Sequence, residues 1–182
     1  MGVSSGDEKT EISVLDKEIC PVCNLKELVL TERVTEVPFF GKVFLYSMTC
    51  ESCKYHRADV ETAEHHDPVS IKFVLESEKD LTVRVVKSSE ATIKIPHMIT
   101  VTPGIGSQGF VSNIEGILNR VKRAIQIAHD GEEDEETKKK AKNHLKKIQR
   151  AIWGQEPMII IIDDPSGNSA IISDKAETRR LK

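Results

Sequence analysis

The sequence is poor in aromatic residues and in cysteine, and it contains no long apolar run. Aromatic side chains make up 4 % of the 182 residues, with a single tryptophan. A membrane-spanning helix needs about 20 consecutive apolar residues, and the polar N-terminus lacks the apolar stretch of a secretory signal. We therefore expect no membrane span and a cytoplasmic protein, in a compartment where thiols stay reduced.

An excess of one charge is also missing. The chain carries 26 basic and 29 acidic residues, for a net charge of −3. Domains that hold nucleic acid by electrostatic attraction are usually basic, so this balance argues against a nucleic-acid partner. With 38 % apolar residues, the chain is long enough for one folded domain and a small additional unit.

The four cysteines form two matched pairs, Cys20 with Cys23 and Cys50 with Cys53. Zinc binds four thiolates in a tetrahedron, and each Cys-x-x-Cys turn presents two of them. A thioredoxin-like dithiol needs only one such pair, two disulfides do not suit a reducing compartment, and this spacing favours zinc over an iron–sulfur cluster. The sequence thus predicts one structural zinc ion with all four positions filled by protein.

Alternating and β-branched residues between the two pairs predict two strands, "ELVLTERVTEV" and "KVFLYSMTC", joined by the turn "PFFG". Two strands with a Cys-x-x-Cys turn at each base form a zinc ribbon. The tip carries Phe39 and Phe40, whose rings are costly to leave in water. We assign both to a partner surface, with packing on the rest of the protein as the alternative.

After the ribbon, the pattern predicts a β domain interrupted by two helices. Residues 69–102 are rich in short β segments, and "PMIIIID" adds another at 157–163. Apolar residues recur at helical spacing in two runs between them. We predict this division of the chain: a flexible tail at 1–16, the ribbon at 17–62, a β domain at 63–174 with a helical hairpin at 112–153, and a C-terminal tail at 175–182.

The ends of the hairpin carry their own signals. Ser112 and Glu115 predict a capping box at the start of the first helix. Trp153 ends the second helix, where we expect it to dock the hairpin on the β domain.

The turn between the two helices is strongly acidic. Its carboxylates can steer a basic surface, so we add Glu132, Glu133 and Glu135 to the candidate partner-binding residues. The lysines that follow at 138–140 are predicted to form a solvated face, because the preceding acids cancel much of their charge.

Two further motifs resemble binding sites. "GIGSQG", with Gly104, Gly106 and Gly109, matches the dinucleotide fingerprint, but the next helix is capped too late to receive a phosphate. "EHHDP" offers two histidines and an aspartate, which we interpret as a solvated turn rather than a metal site.

The stretch "IDDPSGNSAII" places polar residues in a turn after an apolar strand, namely Asp163, Asp164, Gly167 and Asn168. Paired carboxylates can bind a cation or transfer protons. They can equally order a turn by hydrogen bonds to the backbone, and this structural role is our prediction.

The chain resembles the ZPR-type zinc-finger family, which occurs as a single copy in archaea and as a tandem duplication in eukaryotes. The stretches that carry the resemblance are "CPVC", "VPFFGKVFLYSMTCESCKYHRADV", "DLTVRVVKSSEATIKIP", "NIEGIL" and "IDDPSGNSAI". The resemblance implies a mainly β fold with α, in which a zinc ribbon precedes a β-helix-like or jelly-roll-like domain that carries the helical hairpin. It also implies binding to translation elongation factor one-alpha, the GTPase that delivers aminoacyl-tRNA, and assistance with its folding through the ribbon and the hairpin.

Three functions therefore compete. The first is a non-enzymatic, chaperone-like factor for elongation factor one-alpha, and no nucleophile–base set argues for an enzyme. The second is a nucleic-acid-binding ribbon of the transcription machinery, although acidic residues interleave with the basic residues of the ribbon. The third is a cupin-like ligand-binding or hydrolytic domain that uses Asp163 and Asp164.

Overall fold

The computed structural model describes residues 11–37, 40–63 and 66–181. Its first four strands are β1 (Glu11–Glu18), β2 (Leu28–Val37), β3 (Gly41–Cys50) and β4 (His56–Thr62). They pair antiparallel in chain order and form the ribbon. The prediction of a flexible tail at 1–16 is wrong for residues 11–16, which belong to β1. All eight residues of β1 are exposed, so this strand lacks the buried face that produces a sequence signal.

The β domain follows as two antiparallel sheets. Its strands are β5 (Val69–Leu75), β6 (Arg84–Lys87), β7 (Thr92–Ile95), β8 (Ile99–Val101), β9 (Phe110–Asn113), β10 (Met158–Asp164), β11 (Ala170–Ile171) and β12 (Glu177–Arg180), with a 3₁₀ turn at Glu78–Thr82. One sheet has the order β12–β5–β10–β7–β8 and the other the order β11–β6–β9. The predicted mainly β fold with an inserted hairpin is confirmed.

The end of the chain is also more ordered than the sequence suggested. Residues 175–182 were predicted as a tail, but β12 pairs antiparallel with β5 along its four residues. All four side chains of β12 are exposed, so the strand is held by backbone hydrogen bonds to the sheet edge and leaves no apolar pattern.

The inserted hairpin consists of α1 (Ile114–Asp130) and α2 (Glu135–Ile152). The capping box predicted at Ser112 and Glu115 is wrong, because Ser112 pairs with Val85 inside β9. The cap is Asn113, whose side-chain oxygen accepts the N–H of Gly116 at 2.8 Å. None of the helices in the described residues has the length and apolar character needed to cross a bilayer.

One apolar core unites both sheets of the β domain with the hairpin. Helix α1 contributes more buried side chains than α2, which buries only Ile148 and Ala151. The fully buried residues from the strands include Phe73, Ile160 and Ile162. The hairpin base is therefore part of the fold, while its polar faces remain in solvent.

A second apolar cluster, which we call the joint cluster, connects the ribbon to the β domain. Val37, Val43 and Val60 come from the ribbon, and Val86 and Ala170 come from the β domain. All five are buried, so the ribbon rests on the β domain by the end opposite its cysteines.

Candidate metal centre and partner surface

The two cysteine turns of the ribbon have the same backbone geometry. In each turn, the N–H four residues after the first cysteine donates to that cysteine's carbonyl: Asn24 to Cys20 at 2.9 Å and Lys54 to Cys50 at 3.1 Å. Asn24 and Lys54 both have positive φ angles, 58° and 61°. This left-handed residue closes each turn tightly enough to present two sulfur atoms from one side.

The four sulfur atoms converge on one point between the turns. All four lie within 4.8 Å of one another. Sγ of Cys20 is 3.6 Å from Sγ of Cys53, and Sγ of Cys23 is 3.7 Å from Sγ of Cys50. A tetrahedral zinc ion with Zn–S bonds of about 2.3 Å requires sulfur–sulfur distances of about 3.8 Å. The donor set fits one zinc ion, as predicted.

The thiols also show why a cation is needed there. Burial opposes ionisation of Cys20, but the N–H groups of Cys23 and Val22 more than offset it and lower the pKa of Cys20 to about 7. The N–H of Tyr55 favours the thiolate of Cys53, yet desolvation and the neighbouring cysteines raise its pKa to about 12. Four thiolates this close repel each other until a divalent cation neutralises them, so zinc binding releases protons.

The zinc centre has a structural role. Four protein sulfurs fill a tetrahedral zinc and leave no position for water or substrate. Apolar side chains surround the sulfurs, with Leu28 buried and Leu30, Met48 and Tyr55 packed beside it. The ion therefore organises the free end of the ribbon.

Strand β1 and the first cysteine turn carry an unusual amount of exposed apolar surface. Six large apolar side chains on β1 and around the first cysteine turn are each more than half exposed, namely Ile12, Val14, Leu15, Ile19, Val22 and Leu25. Beside them, a groove of about 260 Å³ crosses one face of the sheet and is lined by Leu15, Leu30, Tyr46 and Met48 among others. Sequence reasoning missed this surface because β1 had been assigned to a tail.

Phe40, one of the two rings assigned to the partner surface, packs on the protein itself. Phe40 is half-buried, packs against the joint cluster, and stacks on His66 with 5.6 Å between ring centroids. This supports the alternative, in which the ring packs on the protein. Phe39 lies outside the described residues. In the stretch "EHHDP", His65 also lies outside them, and Asp67 forms an ion pair with Arg180 at 3.7 Å.

The acidic candidates sit at the far end of the hairpin. Glu133 and Glu135 are exposed. Glu132 accepts the N–H groups of Glu133 and Asp134, and Glu135 pairs with Lys138 at 3.1 Å. These carboxylates form an ordered acidic turn away from the β core.

The polar loop after β10 connects the two parts of the molecule. Asp164 is fully buried, and its carboxylate accepts hydrogen bonds from the hydroxyls of Ser166 and Ser169 at 2.7 and 2.5 Å. Asp163 instead forms an ion pair with Lys94 at 2.5 Å. Burial favours the neutral form of Asp163, but the Lys94 ammonium more than offsets this effect and holds the pKa of Asp163 below its usual value. These bonds occupy both carboxylates.

The same loop touches the end of the ribbon. The hydroxyl of Thr62 in β4 donates to the side-chain oxygen of Asn168 at 2.7 Å. Gly167 has a φ of +74°, and a Cβ there would lie 2.6 Å from the carbonyl oxygen of Asp67. Glycine is needed at this position for both conformation and space.

The glycine-rich stretch at 104–109 also serves this junction. The N–H of Gly109 donates to the carbonyl of Ala58 in β4 at 3.2 Å. A Cβ on Gly109 would lie 2.5 Å from the side chain of Asp59. Only a glycine lets the loop approach the ribbon this closely. The presence of Gly109 in the dinucleotide-like motif is therefore explained by this contact and needs no bound nucleotide.

Comparison with known proteins agrees with this architecture. The ZPR1 zinc-finger domain matches residues 11–68, and the ZPR1 jelly-roll domain matches residues 79–182. The sequence resemblance implied either a β-helix-like or a jelly-roll-like domain, and this match identifies the jelly roll.

Whole-chain relatives show the same likeness. A ZPR1-like protein of Methanocaldococcus jannaschii is 42 % identical over 89 % of this chain and 83 % of its own length. One of Pyrococcus horikoshii is 36 % identical over 99 % of this chain and 84 % of its own. The zinc finger chaperone zpr1 of Schizosaccharomyces pombe is 31 % identical over 93 % of this chain, which spans 37 % of that protein. The chain belongs to the ZPR1 zinc-finger family.

Proposed function

We propose that the protein is a non-enzymatic, chaperone-like factor that acts in the cytoplasm and binds translation elongation factor one-alpha. The family resemblance suggests this client. A relative in fission yeast bears the name of a chaperone, which supports a role in binding another protein.

The observation that carries the proposal is the exposed apolar surface on β1 and around the first cysteine turn. Folded monomers seldom leave several large apolar side chains together in water unless the surface binds something. Val22 lies within the first cysteine turn and is 61 % exposed, and Leu25 follows the turn and is 51 % exposed. Zinc holds this turn rigid, so a client meets a surface that is already ordered and loses less entropy on binding.

The acidic hairpin turn is the second contact in the proposal. Glu132, Glu133 and Glu135 lie at the end of the hairpin, where they can attract a basic client surface. The buried side chains of helix α1 pack in the core of the β domain and hold the hairpin in place. The acidic turn therefore has a fixed position on the protein.

A non-enzymatic role is consistent with the polar groups present. The cysteines leave no open metal position, and Asp163 and Asp164 already have a lysine and two serines as partners. The cupin-like hydrolase would need one of these carboxylates to face a substrate.

The test is a binding titration of purified protein with elongation factor one-alpha from the same organism, in the presence of GDP, GTP or neither. Val22→Glu and Leu15→Glu should each weaken binding at least tenfold, because each places a charge on the apolar surface. Ile159→Glu is the matched control, since Ile159 is an exposed apolar residue on β10 of the β domain.

A charge-reversed variant, Glu132→Lys with Glu133→Lys and Glu135→Lys, tests the hairpin contact in the same titration. This variant should associate with the elongation factor more slowly than the wild type, and its binding affinity should depend less on salt concentration. Absence of binding by the wild-type protein in every nucleotide state would refute the proposed client, and equal binding by all variants would refute the proposed surface.

A further inference from the structure

The charges of the helical hairpin are separated along its length. Six carboxylates fall within residues 130–136, at the turn. The following residues, 137–155, contain seven cationic side chains and no carboxylate: Lys138, Lys139, Lys140, Lys142, Lys146, Lys147 and Arg150. The net charge of −3 for the whole chain conceals this strongly basic segment.

Helix α2 places four of these cations on one exposed stripe, which we call the basic stripe: Lys139, Lys142, Lys146 and Arg150. They recur at intervals of three and four residues, the spacing of one helix face. All four are exposed, and Ile148 on the opposite face is buried. With a rise of about 1.5 Å per residue, the stripe is about 17 Å long.

The cations of the basic stripe form no ion pair with the described residues. Among the residues that the structure describes, the ion pairs of α2 belong to its first turn, Glu135 with Lys138 at 3.1 Å and Glu136 with Lys140 at 2.8 Å. In that part of the chain, no carboxylate oxygen lies within 4.0 Å of a charged nitrogen of the stripe, and Lys142 interacts with Glu135 only at longer range. Four like charges on one face repel each other, so an extended polyanion would be stabilising there.

The single tryptophan lies at the end of the same stripe. Trp153 follows Arg150 by three residues, caps α2, and is 58 % exposed. We had expected this ring to dock the hairpin, but Ile148 and Ala151 are the buried residues of α2. An exposed indole in line with a row of cations is the combination by which proteins bind single strands, with stacking on the bases and charge on the phosphates.

We propose that the basic stripe and Trp153 form a binding site for a single-stranded polynucleotide. The cations contact the phosphates and the indole stacks on a base. An acidic protein surface would satisfy the charges but would leave the exposed indole unexplained. This inference does not depend on the proposed client, which uses the ribbon and the acidic turn.

Acidic groups limit the length of the site at both ends. The acidic turn bounds it at one end, and Glu156 and Glu78 lie near the other, with Glu78 within 3.6 Å of a Cβ built on Gly154. At about 3.4 Å per nucleotide in a stacked strand, 17 Å accommodates about five nucleotides.

The first test is fluorescence anisotropy of a labelled 12-nucleotide single-stranded RNA of mixed sequence, titrated with the full chain between 50 and 200 mM KCl. Four phosphate contacts predict a slope of about −2.8 in log affinity against log salt, so the affinity should fall about 50-fold over this range. Lys142→Gln with Lys146→Gln should reduce the slope to about −1.4. Lys26→Gln with Lys42→Gln is the control of equal charge, because both lysines are exposed on the ribbon, and it should bind like the wild type.

The second test uses the intrinsic fluorescence of Trp153, which is the only tryptophan in the chain. Stacking predicts quenching by the RNA and none by poly-glutamate or polyphosphate, and Trp153→Ala should weaken RNA binding about tenfold. The proposal is overturned if the wild type does not bind RNA or if the control pair loses as much affinity as the stripe pair. Equal competition by poly-glutamate without quenching would overturn it in favour of an acidic protein partner.

Discussion

Asp59 and Ser89 join the ribbon to the β domain through both oxygens of one carboxylate. The N–H of Ser89 donates to Oδ1 of Asp59 at 3.1 Å, and its hydroxyl donates to Oδ2 at 2.6 Å. Since Asp59 lies in β4 and Ser89 lies between β6 and β7, these bonds fix the polar side of a junction whose apolar side is the joint cluster.

Replacement of Gly109 by alanine should destabilise this junction. The new Cβ would lie 2.5 Å from Oδ1 of Asp59 and 2.6 Å from the N of Val60, and forcing atoms into such a space costs about 1–3 kcal/mol. Thermal unfolding of the zinc-loaded protein should show a lower Tm.

Gly104→Ala is the matched control within the same glycine-rich stretch. No atom lies within 4 Å of a Cβ at Gly104, so the free energy of unfolding should change by less than about 0.5 kcal/mol. A dinucleotide site would instead depend on the first glycine of the fingerprint. Equal effects of the two alanines would contradict the junction as the reason for Gly109.

Cys50→Ser should abolish stoichiometric zinc binding and loosen the free end of the ribbon, because metal binding and local folding are coupled. Elemental analysis should fall clearly below one zinc per chain, while near-ultraviolet circular dichroism of the β domain persists. Ser52→Ala, an exposed residue of the same turn, should retain the full zinc content. Zinc retained at one per chain in Cys50→Ser would refute the four-cysteine site.

Asp164→Ala should lower stability by about 1–3 kcal/mol, because its removal leaves buried hydrogen-bond donors unpaired. The affected donors are the N–H of Ser166 at 2.9 Å and the hydroxyls of Ser166 and Ser169. Asp174→Ala is the control, since Asp174 is an exposed carboxylate. Urea unfolding of both variants measures the difference, and a fully stable Asp164→Ala protein would contradict the structural role of the loop.

Asp80 should make stability depend on pH in the acid range. Burial opposes its ionisation, but the N–H of Glu76, the Lys175 ammonium and the N–H of Ser77 more than offset this, so the pKa of Asp80 lies below its usual value. A carboxylate with a lowered pKa contributes stability above its unfolded-state pKa of about 3.9 and loses it as the pH falls through the folded-state value.

The measurement compares the free energy of urea unfolding of the wild type and Asp80→Asn at pH 7, 5, 4 and 3. The wild type should be more stable at pH 5–7, and its advantage should shrink below pH 4. Zinc loss in acid affects both proteins alike and cancels in the difference. An advantage that stays constant down to pH 3 would show that ionisation of Asp80 is not responsible.

The parts of the protein that were predictable from sequence are those whose chemistry or periodicity is local. Two Cys-x-x-Cys pairs predict zinc because few other sites use four thiolates at such spacing. The helices were predictable because Ile117, Leu118 and Val121 recur on one face that is buried in the core.

Features that depend on distant neighbours could not be derived in this way. The edge strands β1 and β12 expose every side chain, so only their hydrogen-bonded partners identify them. The bonds between Asp59 and Ser89 leave no sequence pattern because 30 residues separate the two. Ser112 resembled a cap, but pairing with Val85 across the sheet prevailed over its local propensity.

The zinc centre and the joint cluster lie at opposite ends of the ribbon. The backbone hydrogen bonds at the two ends should therefore open to solvent independently of each other. The amides of Cys20 and Cys50, which donate to Leu25 and Tyr55 within the cysteine turns, should exchange with solvent deuterium faster once zinc is chelated. The amide of Ala63, bonded to Lys42 at the other end, should keep its exchange rate, because the joint cluster at that end does not depend on the metal. Removal of the metal would then turn the ribbon into a structure frayed at one end and anchored at the other.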